Sequence, residues 1–477
     1  MKKRILSLKR NECLRSLLPE ECGLAAAINL PRASRYVYDC LVLQEHRGEK
    51  GVGIVSIKDR NIYHRRHVGR VRDHFVNFDF DSNLPGKIAI GHTRYATEGE
   101  PGEIKNVQPL IFLETKYGPI IIAHNGTLVN SRKIKSELIQ KGAVFQSTTD
   151  SEIFGHLIAL SSMDSVEGAI ISALEKVPAA YSLLVLTKDK LFAIRDRFGV
   201  RPLSIAGFND GFLICSENYA FDQYREAGLI RDIDPGEMIV FDRNKEYFRS
   251  VKYAHDKEHF CIFEGIYFSN PRTTYRNFPH EDFRQELGKR LFAENPNLAG
   301  DFILPVLDSG KQAALGLAKA SGILYKEYFL RVHNPPGSNE RSFTSPTEDE
   351  RTKTAYQKLH LRKDKIKGRR AIVVDDSIVR STTMKIVNKR LRDAGASYVI
   401  NCISAPPIIN ICPYGMDYQD KKQLVAAGNT VEEIRKIIGA DELIYISLPG
   451  LKQVVSETYQ CGICYGCFGG KYPIKPD

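Results

Sequence analysis

The chain contains no uninterrupted apolar run of eighteen or more residues, so no segment reads as a membrane-spanning helix. The first ten residues are basic, but NECLRSLLPE after them lacks the apolar core of a secretory signal. No internal repeat is visible. No basic tail accounts for the net charge of +11, which is spread along the 477 residues. Its densest cluster, LRKDKIKGRR at 361–370, reads as a solvated linker ahead of a strand, with a nucleic-acid patch as the alternative. The surplus also favours anionic substrates. Together these absences point to a cytoplasmic protein with no membrane and no nucleic-acid partner. In such a compartment the ten cysteines are reduced, which invites metal or catalytic roles.

What is present is ordinary in bulk. Apolar residues make up 43% and charged residues 26%, enough for two or three globular domains. From Cys22 to about Phe248 short β-rich segments follow one another: GVGIVSI, KIAIGHT, GPIIIAHN, SLLVLT, LFAIRD, FLICSE and EMIVFD. Helical patterns interrupt them near 131–141 and over 151–176. Two sheets with helices packed on them are expected. From about residue 255 helix and strand alternate: helix from His280 to Ala293, strand FILPVLD, helix from Lys311 to Ser321, strand from Arg370 to Val374, helix from Met384 to Ala394, strand SYVINCISAPP. That alternation argues for a doubly wound parallel sheet, with ligands at the carboxyl ends of its strands. The polar segment HNPPGSNERSFTSPTE at 333–348 reads as a mobile loop.

AIVVDDSIVRSTT at 371–383 carries the densest chemistry. An apolar strand stops at Asp375 and Asp376, and a polar loop leads into a helix. Loop N–H groups and a helix N-terminus suit a phosphate. Two carboxylates would repel one, and suit ribose hydroxyls and Mg²⁺ instead. The run resembles the phosphoribosyl pyrophosphate (PRPP) loop of type I phosphoribosyltransferases, in the version carried by the glutamine PRPP amidotransferases. The resemblance implies PRPP contacts from Asp375, Asp376, Ser377, Arg380, Ser381, Thr382 and Thr383, and Mg²⁺ at Ser309, Asp375 and Asp376. Ser381 stands where that family usually has Gly, which permits positive φ. Arg341-Ser342-Phe343 resembles the loop that closes over PRPP, preceded by an apparent insertion, PPGSN at 335–339. CIFEGIYFS at 261–269 resembles the opening of the transferase domain, although Asn270 and Arg272 depart from the residues usual around Pro271.

In the amino-terminal half, Cys22, His46-Arg47-Gly48, GHTRYATEG at 91–99, HNGTLVN at 124–130 and Asp150-Ser151-Glu152 occur in the order seen in amino-terminal-nucleophile glutamine amidotransferases. The resemblance implies that residues 1–21 are a leader removed on maturation, leaving Cys22 first. The chemistry agrees: a free α-amine, pKa roughly 7.7–8.0, can take the thiol proton, and an amide cannot. The same resemblance implies oxyanion donors at Asn125 and Gly126, and glutamine binding by Arg94, Asp150 and Arg47. Asn125-Gly126 is also a hairpin-turn signal. Ala26 stands where the family tends to have Gly.

CGICYGC at 461–467 has two overlapping CxxC spacings, which alone suit zinc or an iron–sulfur cluster. CGICYGCFGGKYP resembles the tail of the processed iron–sulfur class of these amidotransferases. By position the resemblance implies a 4Fe–4S cluster on Cys261, Cys412, Cys461 and Cys464, with Cys467 a spare thiol and zinc the rival metal.

The resemblance therefore implies a two-domain α+β and α/β chain. An N-terminal-nucleophile αββα glutaminase domain spans 22–250, and a type I phosphoribosyltransferase domain with a doubly wound parallel sheet and a Cys-rich tail spans 255–477. It implies ammonia transfer from glutamine to C1 of PRPP, the first step of purine synthesis, in a homotetramer open to inhibition by purine nucleotides. The alternatives are a paralogue that aminates another phosphorylated acceptor, and a non-catalytic protein that senses PRPP or nucleotides.

Overall fold

The computed structural model describes residues 22–95, 102–208, 211–243, 245–331, 359–416 and 420–474. Residues 1–21, expected as a leader, Arg341 and the PPGSN segment expected as an insertion lie outside them.

The first half builds two antiparallel sheets face to face. The seven-stranded sheet runs Ala227–Asp232, Ser204–Phe208, Gly211–Cys215, Gly23–Ile28, Ile88–Arg94, Gly51–Lys58, Asn61–Val68. In the six-stranded sheet Ala179–Leu186 pairs with Ile120–Leu128, which lies one strand in from the edge. Period-two alternation decides the layering. Leu24, Ala26 and Ile28 meet Ile121, Ala123 and Leu184 between the sheets. Ala25 and Ala27 face the helix Ala33–Leu43 on one outer side. Ile120 and Ile122 face the helices Glu152–Ala159 and Val166–Lys176 on the other. The result is four layers, αββα. Ala26 is buried between the sheets and the strand keeps an unbroken register, so its methyl group is accommodated.

The helical pattern over 151–176 proves to be two helices, broken at 160–165. Ser165 starts the second, its Oγ accepting from Gly168 N at 3.1 Å. A hydroxyl that caps a helix competes with helix continuation before it.

In the second half Phe302–Pro305, Arg370–Asp375, Tyr398–Ile403 and Glu442–Tyr445 form a sheet, each neighbour parallel to the next. Ile303, Ile372 and Ile400 pack on one face with Leu287 and Leu317 from the helices His280–Glu294 and Lys311–Ser321. Leu304, Val373 and Val399 pack on the other with Val387 and Ile434 from the helices Thr382–Asp393 and Val431–Ile438. Both faces are covered, which is why these strands read as continuous apolar runs. No helix among the described residues is long and apolar enough to cross a membrane.

Candidate active sites

Cys22 heads the innermost strand of the first sheet and is 6% exposed. Its thiol points to the Tyr95 carbonyl at 3.9 Å. Gly23 N donates to Thr93 Oγ1 at 3.1 Å and Leu24 N to Ser216 Oγ at 3.0 Å, which holds the start of the strand in place. Burial pushes the thiol above its ordinary pKa, while the Arg94 and Arg47 charges pull it back and Asp150 adds to the rise. Arg94 and Asp150 act on one another as well as on Cys22. The site thus sets a buried cation and a buried anion beside one sulfur.

Asn125 and Gly126 do not form a hairpin turn. They lie within the strand Ile120–Leu128, opposite Ser182 and Tyr181. Gly126 has φ +151°, and a Cβ there would meet the Ala180 carbonyl oxygen at 2.1 Å, so no other residue fits without a backbone shift. Asn125 Nδ2 is buried with no hydrogen-bond partner among the described residues. A buried amide donor left unmade is costly, and it suits an oxygen that gains charge during a reaction. Asp150 Oδ2 accepts Leu128 N at 2.8 Å, three residues along the same strand. Behind them Gln108 Oε1 accepts His124 N at 2.7 Å, and His124 Nδ1 meets Ser151 Oγ at 2.9 Å. Burial holds His124 neutral, its pKa pulled down to about 3.

Arg47 is placed differently from the expectation that it binds glutamine. It is wholly buried, with Nη1 on Glu217 Oε1 at 2.7 Å and Nη2 on Glu264 Oε1 at 2.8 Å. Its Nε donates to the Cys22 carbonyl oxygen at 3.2 Å. Two acids occupy the guanidinium fork, and a third carboxylate there would be repelled. Glu264 belongs to the apolar-looking segment CIFEGIYFS. An acid inside such a run needs a buried partner, and that was the available signal.

At the carboxyl ends of the parallel strands, Ser309 Oγ donates to Asp375 Oδ1 at 2.7 Å, and Ser377 Oγ to Asp376 Oδ2 at 2.6 Å. Burial raises both carboxyls, and Asp376 raises Asp375 further. Two buried acids side by side are where a hard cation gains most. Ser381 has φ +67°, so it keeps the left-handed backbone that Gly would supply. It ends the loop just before the helix Thr382–Asp393, whose first turn carries no acid. Thr382 and Thr383 open that helix. Arg380 Nη2 reaches Gln423 Oε1 at 2.6 Å.

The cysteines require a correction. One small cavity is lined by Cys261, Cys412, Cys464 and Cys467. Cys461 is not among its walls, and the charges that act on its thiol are Glu258, Arg276, Arg195 and Asp232. Cys467, by contrast, acts electrostatically with Cys464, Cys261 and Cys412. Both CxxC spacings are the same, so spacing could not choose between them. The chain path does: Phe260 and Cys261 pair in parallel with Ile463 and Cys464, and Ile409 N and Asn410 N both donate to Cys467 O. Burial pushes the Cys261 and Cys464 thiols up to about 12. Among the described residues no group of three or more acid, His or Cys side chains is placed to hold a metal ion. The four thiols stand around a space instead.

The fold and the first site define an N-terminal-nucleophile glutamine amidotransferase half, joined to a type I phosphoribosyltransferase half. Residues 92–223 match the glutamine amidotransferase domain family. The chain is 37% identical to the amidophosphoribosyltransferase of Bacillus subtilis over 96% of its own length and 95% of the relative's. It is 36% identical to that of Methanocaldococcus jannaschii, over 95% and 98%. Among solved structures it superposes on the glutamine PRPP amidotransferase of B. subtilis complexed with ADP and GMP, with TM-score 0.87 and 35% identity, covering 96% and 98% of the two chains. A structure described as the allosteric regulatory enzyme of purine biosynthesis matches with TM-score 0.88 and 34% identity, over 96% and 97%. The chain belongs to the amidophosphoribosyltransferase family.

Proposed function

We propose that this protein hydrolyses glutamine at Cys22 and passes the ammonia to C1 of PRPP, giving 5-phosphoribosylamine, glutamate and pyrophosphate. The observation that carries the first half is the pair of opposite buried charges, Arg94 and Asp150, that both act on the Cys22 thiol and on one another. They match the α-carboxylate and α-ammonium of an amino acid, which would be held within reach of the thiol by these charges. The reading assigns residues 22–250 and 255–477 to the two activities.

The thiol proton passes to the α-amine of Cys22 once residues 1–21 are gone, and sulfur attacks the amide carbon. The oxygen takes the negative charge, received by Asn125 Nδ2 and Gly126 N. Collapse of the tetrahedral species expels ammonia with the proton held by the amine. Water then cleaves the thioester to glutamate. Ammonia adds to C1 of PRPP as the bond to pyrophosphate breaks. Ser377, Ser381, Thr382 and Thr383 offer donors to the 5′-phosphate at the helix start. Asp375, Asp376 and Ser309 would hold Mg²⁺, which would supply charge neutralisation for the pyrophosphate leaving group. Ammonia that reached bulk water would be protonated, so an enclosed passage between the sites is part of the reading.

Cys261, Cys412, Cys464 and Cys467 would hold a 4Fe–4S cluster. Four cysteines lining one cavity suit a cluster that offers each thiolate a separate iron, with a four-thiolate zinc site as the rival. Its role is to tie the tail to the transferase core. Purine nucleotides, bound by the solved B. subtilis relative, are proposed as ligands here as well.

PRPP-dependent pyrophosphate release, with glutamine or ammonia as nitrogen donor, tests the reading. Cys22→Ala loses the first and keeps the second. Loss of both in a folded variant overturns the two-site assignment.

A further inference from the structure

The Arg47 triad crosses between the two halves of the chain. Glu217 follows the strand Gly211–Cys215 of the first sheet, while Glu264 opens the short helix Glu264–Phe268 of the second half. All three side chains are wholly buried. Both carboxyls are held down at about 2, burial opposing and the Arg47 and His46 partners prevailing for Glu217, the Arg47 and Arg201 charges for Glu264.

Glu264 takes the guanidinium with both oxygens, Nη2 at 2.8 Å and Nη1 at 3.0 Å. It is itself fixed from its own side. Ser269 Oγ donates to Glu264 Oε2 at 2.5 Å, and Arg284 donates to the Gly265 and Ser269 carbonyl oxygens, both at 2.7 Å. Arg284 is 5% exposed. Both ends of the Glu264 segment are therefore clamped to the helix His280–Glu294 of the transferase half. Arg47 Nε donates in turn to the Cys22 carbonyl oxygen at 3.2 Å.

We propose that Glu264 is a positioning residue for the glutaminase reaction: through Arg47 it fixes the Cys22 backbone, so the nucleophile is aligned only when the transferase half is docked. The inference rests on Cys22 being that nucleophile. The same residue carries sulfur, α-amine and carbonyl, so an anchor on the carbonyl orients the other two. A rigid bidentate fork fixes direction as well as distance. The segment Glu264–Phe268 is a π-helical turn, a form concentrated at functional sites.

The test uses Glu264→Gln, Arg47→Lys and the double variant in the full-length, matured protein. Glu264→Gln keeps the side-chain shape and removes one half of the charged fork. Its glutamine-dependent kcat is expected to fall at least about tenfold, on the scale of catalytic groups displaced by a fraction of an ångström. The KM for glutamine and the ammonia-dependent rate stay within about twofold. Because Glu264 acts through Arg47, the double variant loses little more than the worse single variant. Full glutamine turnover in Glu264→Gln, additive losses in the double variant, or equal loss of the ammonia-dependent rate would each overturn the inference. If Glu264→Gln does not fold, Ser269→Ala decides: a glutamine-specific loss supports the inference, and an unchanged rate overturns it. A wild-type protein inert toward glutamine would overturn the proposed function itself, before any variant is made.

Discussion

Cys261 and Cys464 stand opposite one another in a parallel pair of two-residue strands, joining the start of the transferase half to the chain's tail. The thiol that completes their group is Cys467, one CxxC spacing further on, rather than Cys461 one spacing before. Two variants separate these. Cys467→Ser, purified anaerobically, is expected to lose most of its iron and its visible absorption, and to melt earlier. Cys461→Ser is expected to keep both. Iron and sulfide content with the absorption spectrum is the check, and the opposite pattern would restore Cys461 to the ligand set.

Asn125 Nδ2 is buried without a hydrogen-bond partner among the described residues. Asn125→Ala removes it and leaves the strand intact. A loss of about 10²–10³ in glutamine-dependent kcat is expected, the range for one missing oxyanion donor. The ammonia-dependent rate is expected to hold. A loss confined to KM would reassign Asn125 to ground-state binding.

Ser381 occupies a backbone conformation that costs an L-residue roughly 1–2 kcal/mol. Ser381→Gly relieves that strain, and the variant is expected to keep full PRPP-dependent turnover. Ser381→Val places a β-branched side chain at positive φ. It is expected to lose at least about tenfold in pyrophosphate release, since the loop leaves the geometry that aims its N–H groups. Equal rates in all three would show that the loop does not touch the substrate.

The buried carboxyl of Asp375 is pushed well up, first by burial and then by Asp376. A carboxyl whose pKa rises on folding binds its proton more tightly in the native state, so stability falls as pH rises above the unfolded carboxylate range. At pH 7 without divalent ions, Asp375→Asn is therefore expected to melt at least about 2 °C above wild type. Added Mg²⁺ reverses the order by stabilising the wild type through the paired acids. Thermal melts with and without Mg²⁺ check this, and a variant that melts earlier in both conditions contradicts it. PRPP-dependent turnover is lost in the same variant.

Much of this arrangement was legible in local sequence. The strand Arg370–Asp375 and the helix Thr382–Asp393 follow from an apolar run, a polar turn and helical spacing, all within one local stretch of the chain. The parallel sheet followed from strand and helix alternating. At Ser381 the side chain differs from the family's usual Gly, yet the backbone keeps the left-handed φ of +67° that Gly would supply. The reading failed where partners lie far apart along the chain. Arg47 looked like a substrate residue until Glu217 and Glu264 arrived from positions 170 and 217 residues away. The helix broken at 160–165 was missed because apolar spacing runs on in phase through the capping serine.

The order of residues alone determined which chemical groups are present and which local elements carry them, since both depend on neighbours a few positions apart. Tertiary structure alone decided which acids neutralise Arg47, which cysteines share a cavity, and that Asn125-Gly126 runs straight through a strand. Those choices depend on burial and on long-range packing, where a charge or thiol is stabilised only by what the folded chain brings against it.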